Sequence, residues 1–181
     1  MACTLYSRCG KIQSKIVQSD EMPSDGGGQK HKEEVFFSSK EDIRMKLHFY
    51  GADRCVTGSC HCLEINGKKI LVDCGLQQGR DELDNRYLAF APGNIDILLV
   101  THAHIDHTGR IPLLVKNGFH GRILTTRLTA DLMKIMLLDS AHIQESDAEY
   151  ENRKGERAGR EHVDPLYTCL LYTSDAADDL I

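Results

Sequence analysis

The sequence predicts an α/β fold in a single domain, and three observations carry the prediction. Strand-like segments alternate with helical segments between residues 45 and 168, the order expected of an α/β protein. A continuous apolar run, Ile95–Val100, is typical of a strand buried on both faces of a parallel sheet. Apolar residues at helical spacing after Arg127 predict a long helix packed on that sheet. A chain of 181 residues is long enough to bury a core.

The strands are predicted from short apolar or alternating segments bounded by turn residues. The dipeptide Asn66-Gly67 joins two of them and is a strong signal for a two-residue hairpin. The predicted strands are Lys46–Tyr50, Ser59–Ile65, Lys68–Asp73, Ile95–Val100 and Arg122–Thr125.

Two helices are predicted. The shorter covers Arg110–Asn117 and ends before Gly118, a residue that commonly terminates helices. The longer runs from about Arg127 to Tyr150, and a polar loop rich in glycine is expected after it. The apolar positions that predict the longer helix are Leu128, Leu132, Ile135, Met136, Ala141 and Ile143.

The chain is predicted to divide into three parts. Residues 1–44 contain Asp25-Gly26-Gly27-Gly28 and a charged stretch and show no sustained period, so they are interpreted as a disordered extension. Such an extension has two possible origins: a start codon assigned too far upstream, or a native flexible tail. The folded domain is predicted to cover residues 45–168, and residues 169–181 form a tail.

The tail has an unusual sequence. Reverse translation of Cys169–Asp179 gives a nucleotide sequence that resembles a transposase adapter used in preparing DNA sequencing libraries. We therefore interpret residues 169–181 as non-native or disordered, with an ordinary short tail as the alternative. Resequencing the source DNA across the Thr168 codon distinguishes the two.

Composition excludes several functional classes. The formal net charge is -5, so any contact with nucleic acid needs a local basic cleft or a partner domain rather than bulk charge. No apolar run is long enough to span a membrane, and the N-terminus shows no signal peptide. The seven cysteines are an odd number without a secretion signal, which favours reduced thiols in a cytoplasmic protein.

The segment Cys60-His61-Cys62 has two interpretations. Alternation along a strand places both cysteines on one face and His61 on the other, which favours packing. A structural zinc site is the alternative, although such sites usually show paired C-x-x-C spacing.

A metal-binding segment, Thr101–Gly109, follows the buried strand and reads THAHIDHTG. His102 and His104 lie two positions apart, so an extended backbone directs both imidazoles to the same side. Asp106 and His107 follow where the chain turns into the next helix and are placed to face a second metal ion. Imidazole and carboxylate groups suit zinc. A surface cluster of histidines is the alternative interpretation.

The metal-binding segment resembles the HxHxDH signature of the metallo-β-lactamase fold, and Val72-Asp73-Cys74-Gly75 resembles the first motif of that family. The resemblance implies part of an αββα sandwich, its N-terminal half. It implies that His102 and His104 bind one zinc ion and that Asp106 and His107 bind a second. Asp106 is also assigned as the catalytic residue, and Asp73 is expected to support the loop through hydrogen bonds.

The flanking sequences resemble the β-CASP branch of the family, whose members process RNA. This similarity covers Met45 to about Thr168 and implies a zinc-dependent hydrolase of RNA phosphodiester bonds, with two zinc ions and RNA as its partner. The alternatives are a thioester or lactone hydrolase of the same fold, or an inactive binding module. The triplet Thr57-Gly58-Ser59 is interpreted as a loop bordering the cleft or, equally, as a plain turn.

The resemblance also implies ligands that this segment does not supply: a third histidine for the first zinc, a bridging aspartate and a further histidine. In the β-CASP branch they follow the position of Thr168. His120, His142 and His162 lack the family's motifs, so none is assigned as a ligand. We therefore expect an N-terminal fragment that binds zinc weakly and has little hydrolase activity.

Overall fold

A computed structural model describes residues 6–7, 10–11, 13–18, 33–38, 44–53, 55–79, 85–156 and 159–169. Part of the predicted extension, including Asp25–Gly28, and residues 170–181 of the predicted tail lie outside these residues. Within the described part, no helix is both long enough and apolar enough to cross a membrane.

The described strands form a two-stranded pair, β1 with β2, and a seven-stranded sheet in the order β3-β4-β5-β6-β7-β8-β9. Strands β7, β8 and β9 run parallel to one another, whereas the other neighbouring pairs in the large sheet are antiparallel. Their bounds are β1 Tyr6–Ser7, β2 Gly10–Lys11, β3 Gln13–Gln18, β4 Glu33–Ser38, β5 Arg44–Gly51, β6 Cys60–Ile65, β7 Lys68–Val72, β8 Ile97–Leu99 and β9 Arg122–Leu124.

The hairpin predicted at Asn66-Gly67 is confirmed. Ile65 pairs with Lys68 across the turn. Asn66 and Gly67 both adopt positive φ angles, 48° and 81°. Asparagine and glycine tolerate this conformation, and two successive positive φ angles match the twist of the flanking strands. The hairpin therefore sets the register of β6 and β7.

Three α-helices are described: α1 Ile105–Thr108, α2 Ile111–Lys116 and α3 Arg127–Glu156. The predicted helix before Gly118 is confirmed as α2, and Gly118 ends it with φ of 94°. Helix α3 begins after Thr126, whose hydroxyl accepts a hydrogen bond from the Thr129 N–H at 3.2 Å. It continues six residues past Tyr150, so the loop predicted from Glu151 onward is wrong at residues 151–156.

Strands and helices share one hydrophobic core. Alternate positions of β6, β7 and β8 point into it, and α2 and α3 cover them. The prediction that Cys60 and Cys62 share a face is confirmed, because both are fully buried whereas His61 is half-buried. Core residues that are at most 2% exposed include Cys60, Cys62, Leu71, Leu98, Leu114, Phe119, Met133 and Leu137.

The buried face of α3 differs from the predicted one. Leu128 and Ile135 are 82% and 68% exposed, whereas Met133 is 1% exposed. Spacing alone does not distinguish two adjacent apolar stripes on one helix, and packing against the core selects the stripe that contains Met133 and Leu137. The residues that are buried on α3 are Ala130, Met133, Leu137, Ala141, Ala148 and Gly155.

The predicted burial of Ile95–Val100 on both faces is also wrong in part. Leu98 is fully buried, but Leu99 is 37% exposed and Leu124 of β9 is 42% exposed. Both point away from the helices, and among the described residues no second layer packs there. The observed arrangement is one helix layer on one mixed sheet, consistent with a partial metallo-β-lactamase sandwich.

Strands β3 and β4 lie within the segment that was expected to be disordered. Strand β4 pairs with β5 from Glu33 opposite Phe49 to Ser38 opposite Arg44. The short apolar run Val35-Phe36-Phe37 lies in this strand. The division of the chain at residue 45 stays a prediction.

Candidate metal centre

The candidate centre lies where parallel strands β7 and β8 end. Asp73 directly follows β7, and Thr101 lies two residues after β8. The carboxyl ends of parallel strands meet at the same edge of a sheet, where functional sites of α/β proteins gather. From Thr101 the chain runs extended to His104 and then enters α1, whose first turn holds Asp106 and His107.

The four predicted ligands form two pairs of atoms. Nε2 of His102 lies 3.2 Å from Nδ1 of His104. Nε2 of His107 lies 3.6 Å from Oδ2 of Asp106. The rings of His102 and His107 are 4.0 Å apart between centroids, so the two pairs are neighbours.

These separations fit divalent metal ions. Two ligand atoms about 2.1 Å from a tetrahedrally coordinated zinc ion lie about 3.4 Å from each other. Both pairs have separations near this value, and their donors are imidazole nitrogens and a carboxylate, the groups zinc prefers when thiolates are absent. Each pair would supply half of a four-coordinate shell.

Asp73 connects the strand ends to the ligands. Its carboxylate accepts hydrogen bonds from the Thr101 N–H at 2.8 Å and from the Thr101 hydroxyl at 2.8 and 3.0 Å. It also accepts from Nδ1 of His107 at 2.7 Å and from the Ser59 hydroxyl at 3.3 Å. Asp73 is 2% exposed. The structure therefore gives Asp73 the contacts of the supporting aspartate that was predicted.

The backbone of Asp73 is in the left-handed region, with φ of 60°. Most residues with a Cβ atom avoid this region, but aspartate and asparagine are several-fold enriched there. This conformation ends β7 and turns the following residues under the metal-binding segment.

Backbone hydrogen bonds hold that segment in place, and together we call them the clamp. Residues 74–76 provide most of them: Cys74 donates to His107 O at 2.8 Å, Leu76 donates to Ile105 O at 3.0 Å, and Arg110 donates to Cys74 O at 2.9 Å. From the residue before β6, the Ser59 N–H donates to Asp106 O at 2.8 Å.

Gly75 lies at the centre of the clamp. A Cβ atom at this position would lie 1.6 Å from the carbonyl oxygen of Asp106 and 2.7 Å from the nitrogen of His107. Glycine is needed here because the two backbones approach too closely for any side chain.

Arg110, directly after the metal-binding segment, was not singled out from the sequence. It is 5% exposed. Its Nε donates to Gly75 O at 2.6 Å, and Nη1 donates to Tyr87 O at 3.4 Å. Arg110 therefore ties the clamp to the loop before β8. Its burial carried no signal in the sequence, because arginine is usually exposed.

The prediction assigned no role to the Thr101 hydroxyl and placed Ser59 only in a loop bordering the cleft or in a plain turn. Thr101 and Ser59 each contact the Asp73 carboxylate. The signal that identifies Thr101 is a hydroxyl residue immediately before the first histidine.

Two residues of the triplet Thr57-Gly58-Ser59 have different contacts. The Thr57 hydroxyl donates to Gln78 O and accepts from the Gln78 N–H, both at 3.0 Å, so it joins the triplet to the segment after β7 and not to the ligand pairs. Only Ser59 of the triplet reaches the Asp73 carboxylate.

The buried cysteines have the properties of packed thiols. Burial raises the pKa of Cys62 to about 11. The pKa of Cys60 is raised well above its usual value because its thiol is hydrogen-bonded to Cys74 and buried. Both thiols lie in the hydrophobic core and His61 lies on the other face of β6, so the packing interpretation of Cys60-His61-Cys62 is favoured over a zinc site.

His61 lies on the opposite face of β6 from the cysteines. Burial lowers its pKa, the charge of Asp73 opposes that effect, and the charge of His107 adds to it. Its Nδ1 atom is buried and makes no hydrogen bond within the described part of the chain.

The three later histidines lie outside the two ligand pairs. His120 is exposed, and His162 contacts Asn152 at 3.0 Å. His142 lies near Glu145 and Cys169, and one ligand-type atom from each of these three lies within 4.8 Å of the others. Cys169 is the first residue of the segment whose codons resemble an adapter, so we assign no role to this cluster.

Known proteins resemble this chain over the same region. Residues 53–169 match the Metallo-beta-lactamase superfamily. Ribonuclease TTHA0252 of Thermus thermophilus is 42% identical over 102 residues, which are 56% of this chain and 24% of the relative. Transcription termination factor FttA of Methanosarcina mazei is 33% identical over 132 residues, 71% of this chain and 20% of the relative.

Cleavage and polyadenylation specificity factor 73 of Drosophila melanogaster is 37% identical over 113 residues, which are 61% of this chain and 16% of the relative. The chain thus spans a quarter or less of the length of these three relatives. Their names confirm the resemblance to RNA-processing members of the fold. The match over residues 53–169 covers most of the chain and includes both motifs, and it shows that the chain belongs to the metallo-beta-lactamase superfamily.

Proposed function

We propose that the protein containing this domain hydrolyses phosphodiester bonds of RNA, with zinc as its metal. One observation carries the chemistry: two pairs of ligand atoms, 3.2 and 3.6 Å apart, stand side by side at the end of β8. The relatives' names supply the substrate class, because they include a ribonuclease and a cleavage and polyadenylation specificity factor.

The residues of the two pairs have separate proposed tasks. His102 and His104 would hold one ion through Nε2 and Nδ1, and Asp106 and His107 would hold a second through Oδ2 and Nε2. When bound, such ions supply an activated water molecule at neutral pH and offset the charge that develops on the phosphate. Asp106, the carboxylate of the second pair, is the proposed catalytic residue.

Asp73 and the clamp keep the ligands in place. Because Asp73 accepts a hydrogen bond from Nδ1 of His107, the Nε2 lone pair of His107 points to the proposed metal. The clamp fixes the backbone on both sides of Asp106, which limits how far the second pair separates without an ion.

The test is cleavage of a labelled single-stranded RNA by the whole protein that contains this domain, in the presence of Zn²⁺ and beside a thioester and a lactone. We expect RNA cleavage that is lost in Asp106→Asn and His107→Ala and retained in His120→Gln, an exposed histidine outside the pairs. Hydrolysis of the thioester or lactone without RNA cleavage would contradict the substrate class. RNA binding with no hydrolysis of any substrate would indicate an inactive module.

A further inference from the structure

We propose that Thr101 is a positioning residue of the metal centre. Its hydroxyl group connects Nδ1 of His102 to the Asp73 carboxylate, and this connection selects the His102 tautomer whose Nε2 atom is free to bind metal. The inference rests on the metal site proposed above and gives a role to a residue outside the ligand set.

The hydroxyl oxygen of Thr101 lies among four polar atoms. Two are the carboxylate oxygens of Asp73, at 2.8 and 3.0 Å. The third is Nδ1 of His102 at 3.0 Å. The fourth is Nδ1 of His107 at 3.5 Å, which is long for a hydrogen bond. The three short contacts therefore define the network.

Counting protons fixes the direction of each bond. A carboxylate only accepts, so the single proton of the Thr101 hydroxyl is donated to Asp73. The hydroxyl oxygen then has only lone pairs to offer to His102. Nδ1 of His102 must carry a proton to make that contact, which leaves Nε2 of the neutral ring without one.

The tautomer selected in this way is the one that metal binding needs. Nε2 of His102 is the atom that lies 3.2 Å from Nδ1 of His104. A ring protonated at Nε2 would direct a proton at the proposed ion and could not bind it.

Asp73 thus determines which ring nitrogen is protonated in both His102 and His107, by two different routes. It accepts directly from Nδ1 of His107 at 2.7 Å, and it reaches His102 through the Thr101 hydroxyl. The Thr101 N–H also donates to Asp73 at 2.8 Å, and this bond persists when the side chain is changed. A β-branched side chain has few χ1 rotamers, so threonine holds its hydroxyl in this position at low entropic cost.

The experiment compares Thr101→Val, which keeps the shape but removes the hydroxyl, with Thr101→Ser, which keeps the hydroxyl. Thr125→Val is the matched control, because the Thr125 hydroxyl donates to Val100 O outside the ligand set. Two readouts are taken on the full chain. One is the protonation pattern of the histidine ring nitrogens by ¹⁵N NMR without metal, and the other is the affinity for Co²⁺ and Zn²⁺ by titration.

We expect His102 of the unsubstituted protein to carry its proton on Nδ1. In Thr101→Val we expect a larger Nε2-protonated population and a metal affinity about tenfold lower, the size typical of lost supporting contacts. Thr101→Ser and Thr125→Val should behave like the unsubstituted protein. A proton on Nε2 of His102 in the unsubstituted protein would overturn the inference even if Thr101→Val fails to fold.

His102→Ala separates this inference from the metal site itself. If His102→Ala binds Co²⁺ as tightly as the unsubstituted protein, the site is wrong. If His102→Ala binds more weakly but Thr101→Val matches the unsubstituted protein in both readouts, only the role of Thr101 is wrong.

Discussion

Nδ1 of His107 lies 2.7 Å from Oδ2 of Asp73, although 34 positions separate the two residues in the sequence. This contact joins the first motif of the superfamily to the second. It predicts that Asp73→Asn, which preserves size and tolerates the left-handed backbone, lowers zinc affinity about 10- to 100-fold. Equilibrium titration of zinc measures the effect. Asp96→Asn, at a carboxylate that contacts Lys68 at 2.7 Å, is the control and should bind like the unsubstituted protein.

Gly75→Ala should disrupt the clamp. The added Cβ would lie 1.6 Å from Asp106 O, so the backbones must separate. We expect a loss of at least about 1–3 kcal/mol in unfolding free energy, the usual cost of overpacking, together with weaker metal binding. Urea denaturation tests this. Gly93→Ala is the control, because its nearest contact is at 3.4 Å. Equal stability of the two variants would contradict the assigned role of Gly75.

Arg110→Met should destabilise the fold even though it replaces a charge with an apolar group. Arg110 is 5% exposed and donates to the carbonyl groups of Gly75 and Tyr87. Removing its guanidinium leaves these acceptors unpaired, at a cost of about 1–3 kcal/mol. Thermal and urea unfolding measure the loss. Arg122→Met, at an exposed arginine, should change stability little, and a similar loss there would count against the prediction.

Two substitutions on α3 test directly which of its faces is buried. Met133 is 1% exposed, so Met133→Ala should cost about 2–5 kcal/mol of unfolding free energy. Ile135 is 68% exposed, and Ile135→Ala should stay within about 0.5 kcal/mol. A larger loss in Ile135→Ala than in Met133→Ala would restore the face predicted from spacing.

His61 predicts part of the pH dependence of stability. Burial lowers its pKa in the folded protein below the usual 6.5, so the unfolded chain takes up the proton first as the pH falls. The contribution of His61 to stability is complete above its pKa in the unfolded chain. It is lost as the pH falls through its pKa in the folded protein. We expect His61→Gln to flatten the decline in unfolding free energy between pH 7.5 and 5, measured by urea titration. His120→Gln, at an exposed histidine, should leave the slope unchanged.

The sequence predicted well where local chemistry decides the structure. Asn66-Gly67 fixed the hairpin through backbone conformation alone, and Gly118 ended α2 for the same reason. The metal-binding segment was recognised because histidine and aspartate are rarely placed together at this spacing. The structure brings its four predicted ligands into two pairs, as their positions after β8 suggested.

Prediction from the sequence was poorer where contacts between distant residues determine burial and hydrogen bonding. The buried stripe of α3 depends on the sheet beneath it, and both Met133 and Ile135 fit a helical period. The burial of Arg110 depends on carbonyl groups contributed by residues 75 and 87, which no local pattern reveals. The hydroxyl of Thr101 gains its role only when the ends of β7 and β8 lie side by side.

The clamp has a thermodynamic consequence. Its hydrogen bonds join residues 74–76 to residues 105–110 across about thirty intervening positions, so the ligand geometry exists only in the folded chain. Any ion bound there favours the folded state over the unfolded one, by about 2.7 kcal/mol when free metal is at one hundred times its dissociation constant. Metal supply would then act on the lifetime of the protein as well as on its proposed chemistry, since a chain without bound metal would unfold more often and be more exposed to proteases.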